Sequence, residues 1–307
     1  MGVDQPDDAD LPPDGRADHR DDQSGGGRAG RAGGVQVETR ARQEYYADLR
    51  VAVSAEESVT AQRTAAREQA AAEKWEGTVK ESRWMWTEYQ RKWPPEERPP
   101  PDRSLKPPDN TRVEAACDRI TGQEQEKITP AMRAVESQDP DRHLAGFEHR
   151  LKGRDRIKEK VYGTIKDFHR SLEHAVSLVP DAIRYTFQYR EGRYTQGVLA
   201  DIARLKDQGF ELHILKNSWS AEQYKGINSQ WIDQDSGQRF EVQFHTRISF
   251  EAKQLTHGAY ERLRTRQPDK FEQMVLEAFQ KKVTAEVPVP PGADGIPNYP
   301  ERGADAR

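Results

Sequence analysis

Two stretches of this 307-residue chain alternate apolar and polar side chains with a period of two. In "AIRYTFQY", Ile183, Tyr185, Phe187 and Tyr189 alternate with Arg184, Thr186 and Gln188; in "RFEVQFHT", Phe240, Val242 and Phe244 alternate with Glu241, Gln243 and His245. Successive side chains of a strand point to opposite faces, so each stretch predicts a strand with one face for a core and one polar face. The polar row suits the solvated side of an antiparallel sheet. A carboxylate, an amide and an imidazole in one line also suit the floor of a site.

Residues 143 to 265 alternate element types as a mixed α/β region should. "GFEHRLKG" reads as a short strand, and Ile157, Val161, Ile165, Phe168 and Leu172 mark one face of a helix. A helix fits 195–207, "FELHIL" and "NSQWID" add strands, and Phe250–Arg264 and Lys270–Val283 read as helices. Upstream, helical patterns cover Thr111–Glu126 and run from Pro130 to Val135. The expectation is an α+β fold: a mixed β-sheet of about five strands flanked by helices, with an N-terminal helical extension and disordered termini.

Hydrophobic residues are 34% of the chain and charged residues 33%, so much of it is expected to lie outside any core. Residues 1–34, rich in Asp, Gly, Pro and Arg, read as a disordered leader, and 35–93 as a helical extension. The prolines of "WPPEERPPPDRSLKPPD" predict a stiff linker over 94–109. A main domain over 110–285 and a disordered tail over 286–307 follow. Within the extension Trp75, Val79, Ser82, Trp86, Tyr89 and Trp93 form a stripe at helical spacing, expected to pack on its own domain or to serve a partner or delivery apparatus.

The net charge of -4 implies no bulk attraction for nucleic acid or membrane. A single cysteine, Cys117, excludes an internal disulfide and any cysteine-based zinc site. The first twenty residues lack the apolar segment of a secretory signal, and no run is long enough to span a bilayer. No membrane partner is expected, and export would need another address.

Four stretches carry charge to strand ends. Arg150 and Lys152 are expected on one face of a strand, with Arg156 and Lys160 one turn apart on the next helix. Such a cluster suits an anion beside a helix N-terminus, or is a solvated basic face. Asp181 opens one polar-faced strand and Glu241 stands in the middle of the other. Two carboxylates on neighbouring strands suit Mg²⁺ shared with substrate phosphates, though each alone also reads as a cap or ion-pair partner. Tyr224, in a loop before a strand, offers a ring for a base or a cap for the core edge.

The ordered set R-x-K with following cations, D-x-x-R-Y-T, Y-x-G-x-N, E-V-Q-F-H-T and H-x-x-Y-E-x-x-R resembles the synthetase domain of the RelA/SpoT family, closest to its toxic small alarmone synthetases, over residues 143 to 265. The resemblance implies a nucleotidyltransferase-like sheet and transfer of pyrophosphate from ATP to the 3′-hydroxyl of a nucleotide, releasing AMP. It implies Arg150, Lys152 and Lys160, joined by Arg156 and Arg184, as the cations for the ATP phosphates, and Asp181 as a Mg²⁺ ligand. Glu241 would activate the 3′-hydroxyl or join the metal site. Tyr224 would stack on the acceptor base, with Asn228, Gln243 and His245 on the acceptor side.

Gly153 and Arg156 stand where the family often has serine, and Asn228 where housekeeping members have histidine. D-x-x-R-Y-T resembles the secreted, toxin-like branch in which adenine nucleotides are accepted, so the implied product is (p)ppApp. The alternatives are (p)ppGpp synthesis or a tRNA 3′ end as acceptor; a nucleotide-binding module without catalysis is the reading from another class. A toxin of this kind implies action in the bacterial cytoplasm and a neutralising immunity or antitoxin protein. His257, Tyr260, Glu261 and Arg264 share a helical face and are expected to support the sheet.

Overall fold

The computed structural model describes residues 30–94, 105–265 and 268–300. The chain divides into two compact units, residues 1–61 and 62–307, a division that falls inside α1 (Gly30–Lys92) rather than at the prolines. In the smaller unit the described residues are helical throughout.

The larger unit is built on β1 (Arg142–Leu144), β2 (Arg184–Tyr189), β3 (Phe210–Asn217), β4 (Ile227–Asp233) and β5 (Arg239–Thr246) in the order β1-β2-β5-β4-β3. β2 and β5 run parallel while all other neighbours are antiparallel, giving the mixed five-stranded sheet that the alternation pattern predicts. The helices are α2 (Pro107–Gln123), α3 (Thr129–Glu136), α4 (Arg154–Phe168), α5 (Leu172–Ser177), α6 (Tyr194–Asp207), α7 (Arg247–Thr265) and α8 (Lys270–Ala285), with a π-helical turn, Glu124–Ile128, joining α2 to α3. No helix among the described residues is long and apolar enough to cross a membrane.

One face of the sheet is the core. Tyr185, Phe187, Tyr189, Trp231, Phe240, Val242 and Phe244 are all buried there, and each such side chain contributes roughly 1.5–3 kcal/mol. α3 and α6 cover that face: the Tyr185 hydroxyl meets Thr129, Tyr189 donates to Asp201 at 2.7 Å, and Tyr194 donates to the Phe244 carbonyl at 2.9 Å. Asp201 also holds the fully buried Arg142 of β1 at 2.9 Å, so the short edge strand is tied to α6 by a charge pair that is costly to break from one side. Cys117 is buried in α2 as part of the core.

Two expectations from the sequence are corrected. "GFEHRLKG" is no strand: Gly146 takes a left-handed conformation (φ 60°) and starts a 3-10 turn, Phe147–His149, while the strand lies upstream as β1. Only Leu151, bridged to Ile183, is paired. Residues 286–300 form ordered structure rather than a loose tail. β3 is an edge strand with open backbone groups, and Tyr299 exchanges both backbone hydrogen bonds with Leu215, at 2.7 and 2.9 Å. Asn217 donates to the Ala293 and Ile296 carbonyls, and Val287, Ala293 and Ile296 are buried. The leader over 1–29, residues 95–104 and residues 301–307 lie outside the described residues.

The aromatic stripe packs on the chain's own domain. Trp75 is 2% exposed and donates to Glu251 at 2.6 Å, Tyr89 donates to the buried Glu272 at 2.5 Å, and Trp86 stacks between Tyr89 and Phe279. A Cβ at Gly258 would stand 2.5 Å from the Trp86 ring, so only glycine lets α1 and α7 approach this closely. Trp75→Ala removes a buried indole and its hydrogen bond and is expected to cost about 3–5 kcal/mol, read as a lowered urea midpoint. An unchanged midpoint would mean that this part of α1 does not stabilise the domain.

Candidate active site

The second face of the sheet is polar by register. The parallel pairing sets Arg184 abreast of Glu241 and Thr186 abreast of Gln243. The antiparallel pairing sets Gln230 beside Glu241 and Asn228 beside Gln243. Three strands thus present Arg184, Glu241 and Gln230 in one rank and Thr186, Gln243 and Asn228 in the next, with His245 beyond.

Asp181 sits in the 3-10 turn Pro180–Ala182 that leads into β2. Its Oδ2 takes Lys160 at 2.6 Å, from the second turn of α4, and Lys152 at 3.1 Å. Lys152 is brought there by the backbone, whose amide bonds the Ala182 carbonyl at 2.9 Å. Burial pushes the Asp181 carboxyl up, but the hydrogen bond from Lys160 and the charges of both lysines outweigh it and hold the group below the usual carboxylate range. Its Oδ1 is buried and without a hydrogen-bond partner among the described residues.

Glu241 takes a hydrogen bond from the Gln243 amide. Burial raises its carboxyl above the ordinary value; the Arg184 charge opposes the shift and the Asp181 charge adds to it. The two carboxylates therefore sense one another. Among the described residues no group of three or more His, Cys, Asp or Glu side chains is placed to hold a metal. Two carboxylates, one with an orphaned buried oxygen, fit a hard divalent cation that completes its shell with substrate phosphates and water.

The structure brings together Lys152, Lys160, Asp181, Arg184, Glu241 and Gln243, and places Arg150 elsewhere. Arg150 has helical dihedrals, so the period-two expectation for 150 and 152 does not hold. Its guanidinium lies over the Phe147 ring and pairs at 2.6 Å with Glu124, buried in the π turn. Arg156 is 59% exposed and points across to α7, pairing with Glu159 at 2.7 Å and Glu261 at 3.7 Å. Glu261 and Arg264 are themselves paired, and the Arg264 charge reaches Asp181, so this end of α7 borders the cation cluster. Tyr260 is half exposed, within reach of the Arg264 charge.

On the other side, Tyr224, Asn228 and His245 form one network. The Tyr224 hydroxyl lies 2.8 Å from both Asn228 Oδ1 and His245 Nε2, its ring edge-on to the imidazole. Ser249 Oγ accepts from the Thr246 amide, donates to the Thr246 carbonyl at 3.2 Å, and stands 2.9 Å from His245 Nδ1. One phenolic proton cannot serve two acceptors: with it on Asn228 Oδ1, His245 Nε2–H donates to the Tyr224 oxygen, and Nδ1 accepts from the Ser249 hydroxyl, which shares its proton with the Thr246 carbonyl. Gly226 (φ 143°) makes this possible, since a Cβ there would meet the imidazole at 2.6 Å.

Lys253 of α7 belongs to the site and is absent from the sequence expectations. Its ammonium donates to Gln243 Oε1. Burial, with help from the Arg184 charge, pushes it down to about 8. The signal in the sequence is a four-residue spacing, Lys253, His257, Glu261, which extends the H-x-x-Y-E-x-x-R motif one helical turn upstream.

No family model matches the chain, and no curated protein matches it. Among solved structures it is similar to the small alarmone synthetase 1 of Bacillus subtilis, at 12% identity and TM-score 0.39, covering 58% of this chain and 93% of that one. The same enzyme bound to its product pppGpp matches at 13% and 0.34, over 59% and 90%. A GTP pyrophosphokinase family protein from Streptococcus pneumoniae matches at 14% and 0.34, over 58% and 87%. These TM-scores are low, so the assignment below stands on the arrangement of charges in this chain.

Burial holds the His245 imidazole well below its ordinary range, hence neutral in the folded state. The unfolded chain takes up that proton at about 6.5, so the stabilisation is complete above this pH and is lost as pH falls below it. Chemical denaturation between about pH 7.5 and 5.5 should show stability falling, with a shallower fall in His245→Gln. Equal slopes would mean that His245 titrates in the fold as it does in the unfolded chain.

Proposed function

We propose that the chain is an ATP-dependent 3′-pyrophosphokinase, moving pyrophosphate from ATP to the 3′-hydroxyl of a nucleotide and releasing AMP. The observation that carries the reading is the pair of carboxylates that sense one another at the entrance and middle of the polar strands, Asp181 held down by Lys152 and Lys160, and Glu241 held up by burial. Two acids in contrasting surroundings suit two roles.

In-line transfer at phosphorus needs positioning and charge stabilisation more than a covalent intermediate. Lys152 and Lys160 would leave Asp181 for the ATP phosphates, at the start of α4, whose first amides have no side-chain cap. Asp181 Oδ1 would then hold a divalent cation, which Glu241 would join only in place of acting as base. When bound, that ion neutralises charge on the phosphate oxygens. Glu241, whose raised affinity for a proton suits a base, would take the proton from the acceptor hydroxyl. Tyr224, its hydroxyl fixed by His245 and Asn228, would offer its ring to the acceptor base. Arg184 faces Glu241 and would meet the transferred group.

We infer an adenine nucleotide as acceptor, and a role as a toxin needing a neutralising protein, from the D-x-x-R-Y-T motif and from Asn228, which stands where housekeeping members have histidine. Glu241→Gln keeps the shape and removes the base. It should lower transfer from labelled ATP by about 100-fold or more while ATP binding persists. Asp181→Asn should lose activity as well. Full activity in either variant would sink the assigned roles.

A further inference from the structure

We propose that Lys253 is a positioning residue for this site: its ammonium fixes the orientation of the Gln243 amide, and the amide in turn holds the Glu241 carboxylate. The inference rests on the pyrophosphokinase reading for its kinetic consequence, and on geometry for the rest.

The oxygen and nitrogen ends of an amide are alike in shape and opposite in hydrogen bonding, so the partners decide which way it turns. Gln243 has two. At one end Lys253 Nζ donates to Oε1, joined by the Thr186 hydroxyl at 3.4 Å; at the other, Nε2 donates to Glu241 Oε1. An ammonium has three donors and no acceptor, so it can bond only the oxygen end. Lys253 thereby forces the NH₂ towards Glu241. Turned the other way, the amide would set its oxygen against the carboxylate and leave Lys253 facing a donor.

The lysine is itself held from behind. α7 packs on α1 through the Trp75 bond to Glu251, two residues before Lys253, and through Trp86 on Gly258. Its Nζ also lies 5.3 Å from the centre of the Phe250 ring. The chain of donors, Lys253 to Gln243 to Glu241, runs from a packed helix to the group that would take the proton. Supporting hydrogen bonds of this kind usually change activity by one to two orders of magnitude.

The test has two readouts. The first needs no turnover. In ¹⁵N-labelled full-length protein the Gln243 side-chain NH₂ signal, assigned by its loss in Gln243→Leu, should move on Lys253→Met and stay close to its wild-type position in Lys253→Arg, which keeps a donor-only cation. A signal unmoved in Lys253→Met overturns the proposal, whether or not the protein is active. The second is kinetic. Lys253→Met should lower kcat about 10- to 100-fold with KM for ATP and acceptor little changed, Lys253→Arg should recover much of kcat, and Lys253→Met should add nothing in a Gln243→Leu background. Additive losses in the double variant, or a change in KM alone, would mean that Lys253 contacts substrate by itself and would overturn the proposal. A wild-type protein that transfers nothing while the amide signal responds as expected would count against the pyrophosphokinase reading alone. Should Lys253→Met fail to fold, Lys253→Gln takes its place: an amide can bond either end of Gln243, so the signal should split or shift where Lys253→Arg does not move it, and an unmoved signal again overturns the proposal.

Discussion

The site depends on β2 and β5 lying parallel and in register. That pairing puts Arg184 beside Glu241 and Thr186 beside Gln243 on one face, and Tyr185 beside Val242 and Phe187 beside Phe244 on the other. A slip of one residue in either strand would carry its charges into the core and its rings into the cleft, so burial of the rings fixes the polar rank as firmly as any polar contact does. The antiparallel partner of β5, β4, adds Gln230 and Asn228 to the same two ranks.

On that floor the charges are sorted by depth. Asp181 is reached by two ammonium groups, which outweigh its burial, while Glu241 is deeper and meets them less. Two helices supply the walls. α4 brings Lys160 to Asp181, and α7 brings Lys253 to Gln243, with Glu261 reaching back to Arg156 so that the two helices meet across the cluster. The aromatic stripe of α1 fastens α7 from outside through Trp75 and Trp86. A helix remote from the chemistry thus fixes where a lysine of the site stands.

The sheet was legible because period-two alternation is a local property that packing reinforces. Asp181 and Glu241 could be read for the same reason, since each is fixed by its place in a strand or at its entrance. Arg150 could not: parity presumes extended backbone, and the left-handed Gly146 starts a turn there instead. Lys253 was invisible because its depth depends on contacts between α1 and α7, such as Trp75 with Glu251, 176 residues apart in sequence. The order of residues 286–300 has no local signal for a related reason. Proline and glycine do mark weak local structure, but the open edge of β3 supplies the order from outside.

The central claim is tested most directly by incubating the purified chain with Mg²⁺ and ATP labelled in its β-phosphate, with AMP, ADP, GDP or GTP in parallel, and separating the products. The account predicts acceptor-dependent release of AMP in equal amount with an acceptor that carries two further phosphates, the label among them. Release of ADP or of free pyrophosphate without a lengthened acceptor, or binding of ATP with no turnover in any mixture, would contradict it.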